Sequence, residues 1–242
     1  MAIIKDDAVI LRRLDYSETS QVLAVFTRMH GKVRLIAKGI KRSTKDKFAA
    51  GLDLLDIGHL TFSARNVRQE ALATLTEWVQ SQAGAALRDA LDRLLAAQYA
   101  AFVAAELTED WDPHPELYDG ICDAIRALAE GARPVRTLVA FQRCLLQEIG
   151  SFPILDACVG CQRPTPAQGV LYFSSLDGGL LCRDCESARS EKLELNRNTL
   201  GCMINKGDDP DSAIDAFRVF DYHLTHLMGK PNPLLRMFLS AC

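Results

Sequence analysis

Four cysteines in the second half of the chain have the spacing of a metal site. They form two C-x2-C pairs, Cys158 with Cys161 and Cys182 with Cys185, separated by 20 intervening residues. Each pair can present two thiolates from one tight turn, and two pairs at this separation indicate zinc. Because all four positions are sulfur, the sequence predicts one structural Zn²⁺ per chain with no open position for water or substrate.

Disulfides, or burial without a metal, are the alternative roles of these cysteines. Disulfides are disfavoured because the first residues include two acids where a secretory signal would be cationic. Tyr172-Phe173 and Leu180-Leu181 are expected to form the strands of a ribbon between the two pairs. Arg163 and Arg183 are placed to offset the negative charge of four thiolates around one Zn²⁺.

A second zinc motif is matched only in part. His114-Pro115-Glu116 precedes the first C-x2-C pair, as in zinc deaminases, whose signature is H-x-E followed by P-C-x-x-C. Residue 157 is alanine where that signature has proline, and the second cysteine pair already completes the ligand set. Glu116 has a simpler role as an acid in the first turn of a helix. We therefore interpret the cysteines as a structural site.

The most basic part of the chain is Arg28–Lys47, whose net charge is +7 in a protein of net charge −3. A basic segment in an acidic chain predicts a dedicated polyanion site, and this density of cations can neutralise several phosphates. A solvated charged surface is the alternative. The candidate DNA-binding residues are Arg28, Lys32, Arg34, Lys38, Lys41, Arg42, Lys45 and Lys47. Phe26, Phe48 and Phe62 are candidates for base stacking, with barrel core as the alternative for Phe26 and Phe62.

The elements that must position these residues change near residue 80. Before it, short β-branched and apolar runs predict five strands, and strict alternation over Gly31–Gly39 puts Lys32, Arg34 and Lys38 on one face. Five short strands suit a small closed barrel, for which the OB-fold is the natural candidate. The strands are expected near residues 8–11, 21–27, 31–39, 56–63 and 71–78.

After residue 80 the apolar period becomes helical. Four helical faces are predicted, on residues 87–105, 117–128, 138–149 and 217–228. The first of these faces consists of Leu87, Leu91, Leu94, Leu95, Gln98, Phe102 and Ala105. The sequence thus predicts an α+β protein with an OB-fold nucleic-acid-binding domain over 1–80 and a helical domain over 81–242. The zinc-binding insert is expected at 155–190 within the helical domain.

Composition and missing motifs exclude several function classes. Hydrophobic residues make up 48% of the chain and charged residues 24%, as in ordinary globular proteins. The most apolar run, residues 94–105, is too short to cross a bilayer, so we expect a soluble intracellular protein without membrane contact. Neither a P-loop nor a G-x-S-x-G elbow occurs, and no acid completes a metal site with His223 and His226. The sequence therefore predicts that the protein is not an enzyme.

The order of these features resembles the RecO family of bacterial recombination and repair proteins. That family joins a basic OB module to a helical domain with a four-cysteine insert after a G-x-x-P-x-L-x-x-C-x-x-C run, here Gly150 to Cys161. Lys41 stands where the family's A-K-G-x-R-R loop has its first paired arginine. The other residues that carry the resemblance are Glu18-Thr19-Ser20, Phe26-Thr27, Gly31-Lys32, Ala37-Lys38-Gly39, Phe141, Leu145-Leu146, Glu148-Ile149-Gly150, Gly178-Gly179-Leu180-Leu181-Cys182 and Leu227-Met228-Gly229.

The resemblance implies a non-enzymatic mediator of the RecF recombination pathway, in the bacterial cytoplasm and associated with the nucleoid. Such proteins bind single- and double-stranded DNA and anneal complementary strands. They contact the acidic tail of single-stranded DNA-binding protein, and with RecR they help to load RecA onto the coated strand. The alternatives are a zinc-ribbon nucleic-acid-binding protein of transcription or translation, and a zinc hydrolase or deaminase.

The second and third helices are our hypothesis for the place where such an acidic tail binds. A terminal carboxylate next to an apolar residue needs an apolar pocket with a cation at its rim. Arg133 and Arg136 lie in sequence between and beside the apolar residues Leu128, Leu138 and Phe141. We expect these two arginines to bind the tail, with ordinary solvated helix charges as the alternative.

Overall fold

The computed structural model describes residues 2–39, 52–64, 72–82, 84–166, 168–207 and 209–241. The chain divides into two compact units, one made of Met1–Ala132 with Leu234–Cys242 and the other of Arg133–Pro233. These packing units are drawn differently from the predicted domains, 1–80 and 81–242, whose limits stay a prediction.

A closed five-stranded barrel begins the first unit. Its strand order is β1-β2-β3-β5-β4, with β1 also paired to β4 and with β3 and β5 parallel. A five-stranded closed barrel of this kind is the predicted OB-fold, which is confirmed. The strands are β1 (Ala2–Asp15), β2 (Gln21–Thr27), β3 (Gly31–Ala37), β4 (Ile57–Ala64) and β5 (Ala73–Gln82).

The barrel closes around side chains that alternate along each strand. In β3, Val33, Leu35 and Ala37 are fully buried, while Arg34 is exposed on the outer face. This is the predicted alternation, because successive side chains of a strand point to opposite faces. Each large apolar side chain buried in this way stabilises the fold by about 1.5–3 kcal/mol.

Three α-helices and a 3-10 helix complete the first unit. The predicted face of the second predicted helix is confirmed, since Leu117, Ile121, Ile125 and Leu128 are all buried. Pro115 opens that helix, as expected for proline at a first helical position. The elements are the 3-10 helix Gly84–Asp89, α1 (Leu91–Leu107), α2 (Pro115–Ala129) and α7 (Leu235–Ala241).

The predicted apolar face of the first predicted helix is confirmed only in part, since Leu87, Leu95 and Ala105 are buried but other members are not. Leu91 is 62% exposed, whereas Tyr99 and Val103, which lie outside the predicted face, are fully buried. Helix α1 packs against β1, α2 and α7. Because neighbours cover it on several sides, many small alanines are buried around its circumference and no single stripe marks its buried side.

The second unit combines helices with a small sheet. Helix α6 packs against α3 and α5, and the sheet has the order β6-β8-β7-β9. The Asp209 carboxylate accepts the Ser212 N–H at 2.9 Å at the start of α6, and Gly229 ends this helix at φ +67°. The elements are α3 (Pro134–Glu148), β6 (Ile154–Cys158), β7 (Leu171–Ser174), β8 (Gly179–Leu181), α4 (Arg183–Glu186), β9 (Leu193–Leu195), α5 (Arg197–Met203) and α6 (Pro210–Met228).

None of the helices in the described ranges combines the length and the apolar character that a bilayer crossing requires.

Candidate metal centre and nucleic-acid interface

The four predicted cysteines converge in the second unit. Cys158 ends β6, Cys161 lies in the turn after it, Cys182 precedes α4 and Cys185 lies within α4. Their sulfur atoms all lie within 4.8 Å of one another. Within the described ranges, this is the one group of three or more His, Cys, Asp or Glu side chains close enough to hold a metal ion.

The spacing of the sulfurs suits four-coordinate metal binding. Four sulfurs at a Zn–S distance of ~2.3 Å lie about 3.8 Å apart at the corners of a tetrahedron. The Sγ atoms of Cys161 and Cys182 are 3.8 Å apart, far beyond a covalent S–S bond of about 2.05 Å. These four cysteines can therefore hold a metal ion.

Backbone groups favour the thiolate form of Cys158, one of the four clustered cysteines. Burial alone raises the pKa of the Cys158 thiol, but N–H groups of Cys182, Cys161 and Gly160 donate to its sulfur and lower the pKa to about 6. The Cys182 N–H lies 3.3 Å from that sulfur. A Cβ at Gly160 would lie 3.0 Å from Cys185 Cβ, so glycine lets the two pairs approach without a shift of the neighbouring atoms.

The predicted ribbon is present, and its charges are partly arranged as expected. Strands β7 and β8 include Tyr172-Phe173 and Leu180-Leu181 and pair antiparallel. Arg163 lies near the cluster, where the charge of Cys161 raises the pKa of the guanidinium, and its Nη1 is 3.1 Å from Asp184 Oδ2. Arg183 is exposed at the start of α4.

Hydrogen bonds join the ribbon turn to α6. The Glu191 carboxylate accepts from Ser174 Oγ at 2.8 Å and from the N–H groups of Ser175 and Leu176, both at 3.2 Å. The Tyr222 hydroxyl of α6 donates to the same carboxylate. Partial burial raises the pKa of Glu191, but the hydrogen bonds from Tyr222 and Ser174 outweigh it and lower the pKa.

The two histidines on α6 differ, since His223 is buried and hydrogen-bonded whereas His226 is exposed. His223 Nδ1 accepts from Ser175 Oγ at 2.7 Å and its Nε2 donates to the Ser151 carbonyl at 3.0 Å, with the tautomer assigned from these partners. Burial lowers the pKa of His223. In the first unit, His114 Nε2 lies 3.2 Å from Asp112 Oδ2.

Three of the predicted DNA-binding residues form hydrogen bonds or ion pairs with residues 105–119, the helical segment of their own unit. Arg28 donates to both carboxylate oxygens of Asp119, at 3.1 and 2.8 Å. Lys32 Nζ donates to two carbonyl oxygens at the end of α1, and Arg34 Nε lies 3.1 Å from Asp110 Oδ2. Sequence alternation places these cations on one surface but cannot show that acids from residues 110–119 reach them.

Backbone packing brings that segment against β3. The Trp111 N–H donates to the Lys32 carbonyl at 2.9 Å. Gly31, at φ +67°, has no room for a side chain, because a Cβ there would lie 1.9 Å from the Asp112 carbonyl oxygen. The turn before β3 therefore requires glycine for both its backbone angle and this close approach.

The remaining candidates divide by location. Lys38 is exposed just beyond β3. Lys41, Arg42, Lys45, Lys47 and Phe48 lie outside the described residues. The stacking role predicted for Phe26 and Phe62 is wrong, since both rings are fully buried. Phe62 follows the core alternative, whereas Phe26 pairs with Lys32 on the outer side of the barrel and is covered there.

Two family models match the chain in succession. The model described as Recombination protein O N terminal matches residues 1–82, and the one described as Recombination protein O C terminal matches residues 88–205. The chain belongs to the RecO family. The first match covers the barrel, and the second runs from α1 through α5 and contains all four clustered cysteines.

Proteins named DNA repair protein RecO are similar over most of their length. The chain is 32% identical over 205 residues to that of Anaeromyxobacter sp. (strain K), covering 85% of this chain and 79% of the relative. It is 30% identical over 213 residues to that of Rhodopirellula baltica, covering 86% and 78%. With that of Pelotomaculum thermopropionicum it shares 30% identity over 219 residues, covering 90% and 82%. RecO membership assigns the chain to DNA repair instead of transcription or translation.

The predicted tail site of this RecO-family chain has a different lining from the one expected. Leu128, Leu138 and Phe141 are buried in the cores of their units and cannot line an open pocket. Arg133 is exposed at the N-terminus of α3. Arg136 instead lines a cavity of about 180 Å³ between α3, α5 and α6, together with Val139, Ala140, Arg143, Cys202, Asn205, Gly207 and Ala213.

Proposed function

We propose that this RecO-family chain is a non-enzymatic mediator of DNA repair and homologous recombination. In this proposal it binds single- and double-stranded DNA and anneals complementary strands. It also helps to load RecA onto DNA coated with single-stranded DNA-binding protein. The observation that carries the proposal is the family match over both the OB barrel and the cysteine-containing helical part. Annealing fits a surface of phosphate contacts, because such contacts leave the base edges free to pair.

The proposed DNA contacts are the predicted basic residues, and the geometry ranks those that are described. Lys38 is exposed and next in sequence to the remaining basic residues, which supports a direct phosphate contact. Arg28 and Arg34 would meet phosphate with their guanidiniums already positioned by Asp119 and Asp110. Lys32 is the weakest candidate, since its side chain is only 12% exposed.

The proposed cofactor is one structural Zn²⁺ held by Cys158, Cys161, Cys182 and Cys185. Four thiolates with the observed spacing fit a closed tetrahedral site, and Gly160 leaves the space in which the sulfurs meet. Bound zinc would supply folding free energy to a ribbon whose strands have only three or four residues.

The proposed protein partners are RecR and the acidic tail of single-stranded DNA-binding protein. Arg133 and Arg136 remain the proposed tail-binding residues. The cavity beside Arg136 supports this placement because it combines arginines at its edge with the apolar side chains of Val139 and Ala213.

Annealing without nucleotide tests the proposed function. Complementary oligonucleotides precoated with single-stranded DNA-binding protein should anneal faster in the presence of the chain, with no ATP and with no change caused by a nucleotide analogue. The coat protein lacking its acidic tail is the control and should reduce the acceleration. A chain that binds DNA but accelerates neither naked nor coated strands would contradict a mediator role.

A further inference from the structure

An exposed apolar strip crosses the outer face of the barrel. Leu14 on β1 is 68% exposed, and Tyr16, just past the end of β1, is 70% exposed. Leu14 pairs in register with Val22, and Val22 with Ile36, so apolar residues lie side by side on three adjacent strands. The strip, defined as Leu14, Tyr16, Val22 and Ile36, offers the base-stacking surface that the buried rings of Phe26 and Phe62 cannot.

Arginines flank a groove beside the strip. Arg12 pairs in register with Ala24, and Ala24 with Arg34, so a small residue separates two long cationic ones. The groove has a volume of about 450 Å³ and is lined by Leu14, Val22 and these three residues, among others. It therefore offers an apolar floor with a guanidinium on either side.

The flanking guanidiniums can still bind an anion. Arg12 forms an ion pair with Glu106, and Arg34 with Asp110 at 3.1 Å. A guanidinium has five N–H donors, of which one carboxylate occupies at most two or three, and the two side chains are 45% and 59% exposed. The carboxylates hold the guanidiniums in place while donors face solvent at the edge of the strip.

We propose that unpaired bases of single-stranded nucleic acid rest on this strip, with the flanking arginines at the phosphates. The inference rests on the proposed DNA binding and adds the residues that contact the bases of the single-stranded form. Apolar and aromatic side chains reach base faces only where those faces are not covered by duplex stacking. A peptide could also cover an apolar strip, but the two exposed arginines in the row of residues next to it match a phosphate backbone better.

The experiment compares two strands that differ only in their bases. An oligothymidylate and an abasic strand of equal length and backbone are titrated with the full chain by fluorescence anisotropy. The wild type should bind the oligothymidylate more tightly. The double variant Leu14→Ser with Tyr16→Ser should lose roughly 5- to 150-fold of that preference, the range expected for stacking of one base. Its affinity for the abasic strand should stay unchanged.

Matched variants separate stacking from general damage. Ile3→Ser changes a residue that is 75% exposed on the same strand, and it should keep the base preference. Tyr16→Phe retains an aromatic ring and should also keep it. Thermal unfolding checks that each variant is folded, which the exposure of both positions favours.

The outcomes distinguish this inference from the proposed function. If the wild type binds neither strand nor duplex, the proposed DNA binding itself fails. If the wild type binds DNA but the double variant keeps the full base preference, the strip is not a base platform. In that case a protein partner becomes the better occupant. An equal loss in Ile3→Ser also overturns the proposal.

Discussion

The ammonium of Lys32 lies 2.7 Å from the carbonyl oxygen of Ala105, at the C-terminal end of α1. The Thr108 carbonyl lies 2.5 Å from the same nitrogen, and Asp110 lies at 3.5 Å. The last carbonyls of a helix lack intrahelical partners and carry partial negative charge, which a cation satisfies. Lys32 therefore joins the barrel to the helix that follows it.

Replacing Lys32 should mainly lower stability, whereas replacing Lys38 should mainly lower DNA affinity. Lys32→Met removes the donor from two carbonyls, so we expect a loss of about 1–3 kcal/mol in the free energy of unfolding. Lys38→Met changes an exposed residue and should alter that free energy by no more than about 0.5 kcal/mol. Urea denaturation measures both, and DNA affinity should fall more for Lys38→Met. Equal stability of the two variants would contradict the structural role of Lys32.

Charge reversal at Lys38, Lys41 and Arg42 together should weaken the binding of single- and double-stranded DNA without creating a sequence preference. The slope of log affinity against log salt concentration should flatten by roughly 0.7–0.9 for each phosphate that the variant no longer neutralises. The single variant Lys38→Glu should also weaken DNA binding. Its control is Lys5→Glu, which reverses an exposed charge elsewhere on the barrel. An unchanged slope in the triple variant would place the DNA on another surface.

Purified protein should contain one zinc per chain when kept reduced. Serine at Cys158, Cys161, Cys182 or Cys185 should lower the metal content and the unfolding temperature, because the metal contributes to folding. Gly160→Ala keeps all four ligands and should lower the unfolding temperature by less, since its Cβ would lie 3.0 Å from Cys185 Cβ and require only a small shift. Cys144→Ser, outside the cluster, should keep the metal. Elemental analysis measures the ratio, and metal-free wild type would refute the site.

Stability should depend on His223 below neutral pH. Burial lowers the pKa of His223 in the folded protein, so the unfolded chain takes up a proton more readily. The stability associated with neutral, buried His223 is fully present above the unfolded pKa of about 6.5. As the pH falls below that value, the free energy of unfolding decreases by at most about 1.4 kcal/mol per pH unit. His223→Gln should flatten the decline seen by denaturation between neutral and acidic pH. His226→Gln, at an exposed neighbour whose charge adds to the lowering of the His223 pKa, should flatten the decline less than His223→Gln does.

Substituting glutamine at Arg133 and Arg136 together should reduce affinity for an acidic tail peptide of single-stranded DNA-binding protein while DNA affinity is retained. The reason is the loss of the Arg136 cation from a cavity that is also lined by Val139 and Ala213, together with the loss of the exposed Arg133 cation at the start of the same helix. Titration of fluorescent peptide measures this, with Arg218→Gln on α6 as the control. Wild-type affinity in the double variant would move the tail site elsewhere.

Features that depend on neighbouring residues were predictable from the sequence. The cysteine spacing predicted the sulfur cluster, because each C-x2-C pair is closed by a single turn. Alternation predicted the buried face of β3, since successive side chains of a strand point to opposite faces. The five strands and the barrel followed from the same local signals.

Tertiary packing decided what local pattern could not. Arg28 meets Asp119 across 91 positions, and Lys32 meets Ala105 across 73, so alternation alone could not separate a DNA contact from a structural one. In the same way, the neighbours of α1 rather than its own periodicity determined which residues are buried. The exposure of Leu14 and Tyr16 could also be known only from the fold. An apolar residue in or next to a strand is expected to be buried until the neighbouring elements are known. The local sequence determines the spacing of apolar residues in each helix or strand. Which face of that helix or strand is buried depends on contacts between segments that are distant in sequence.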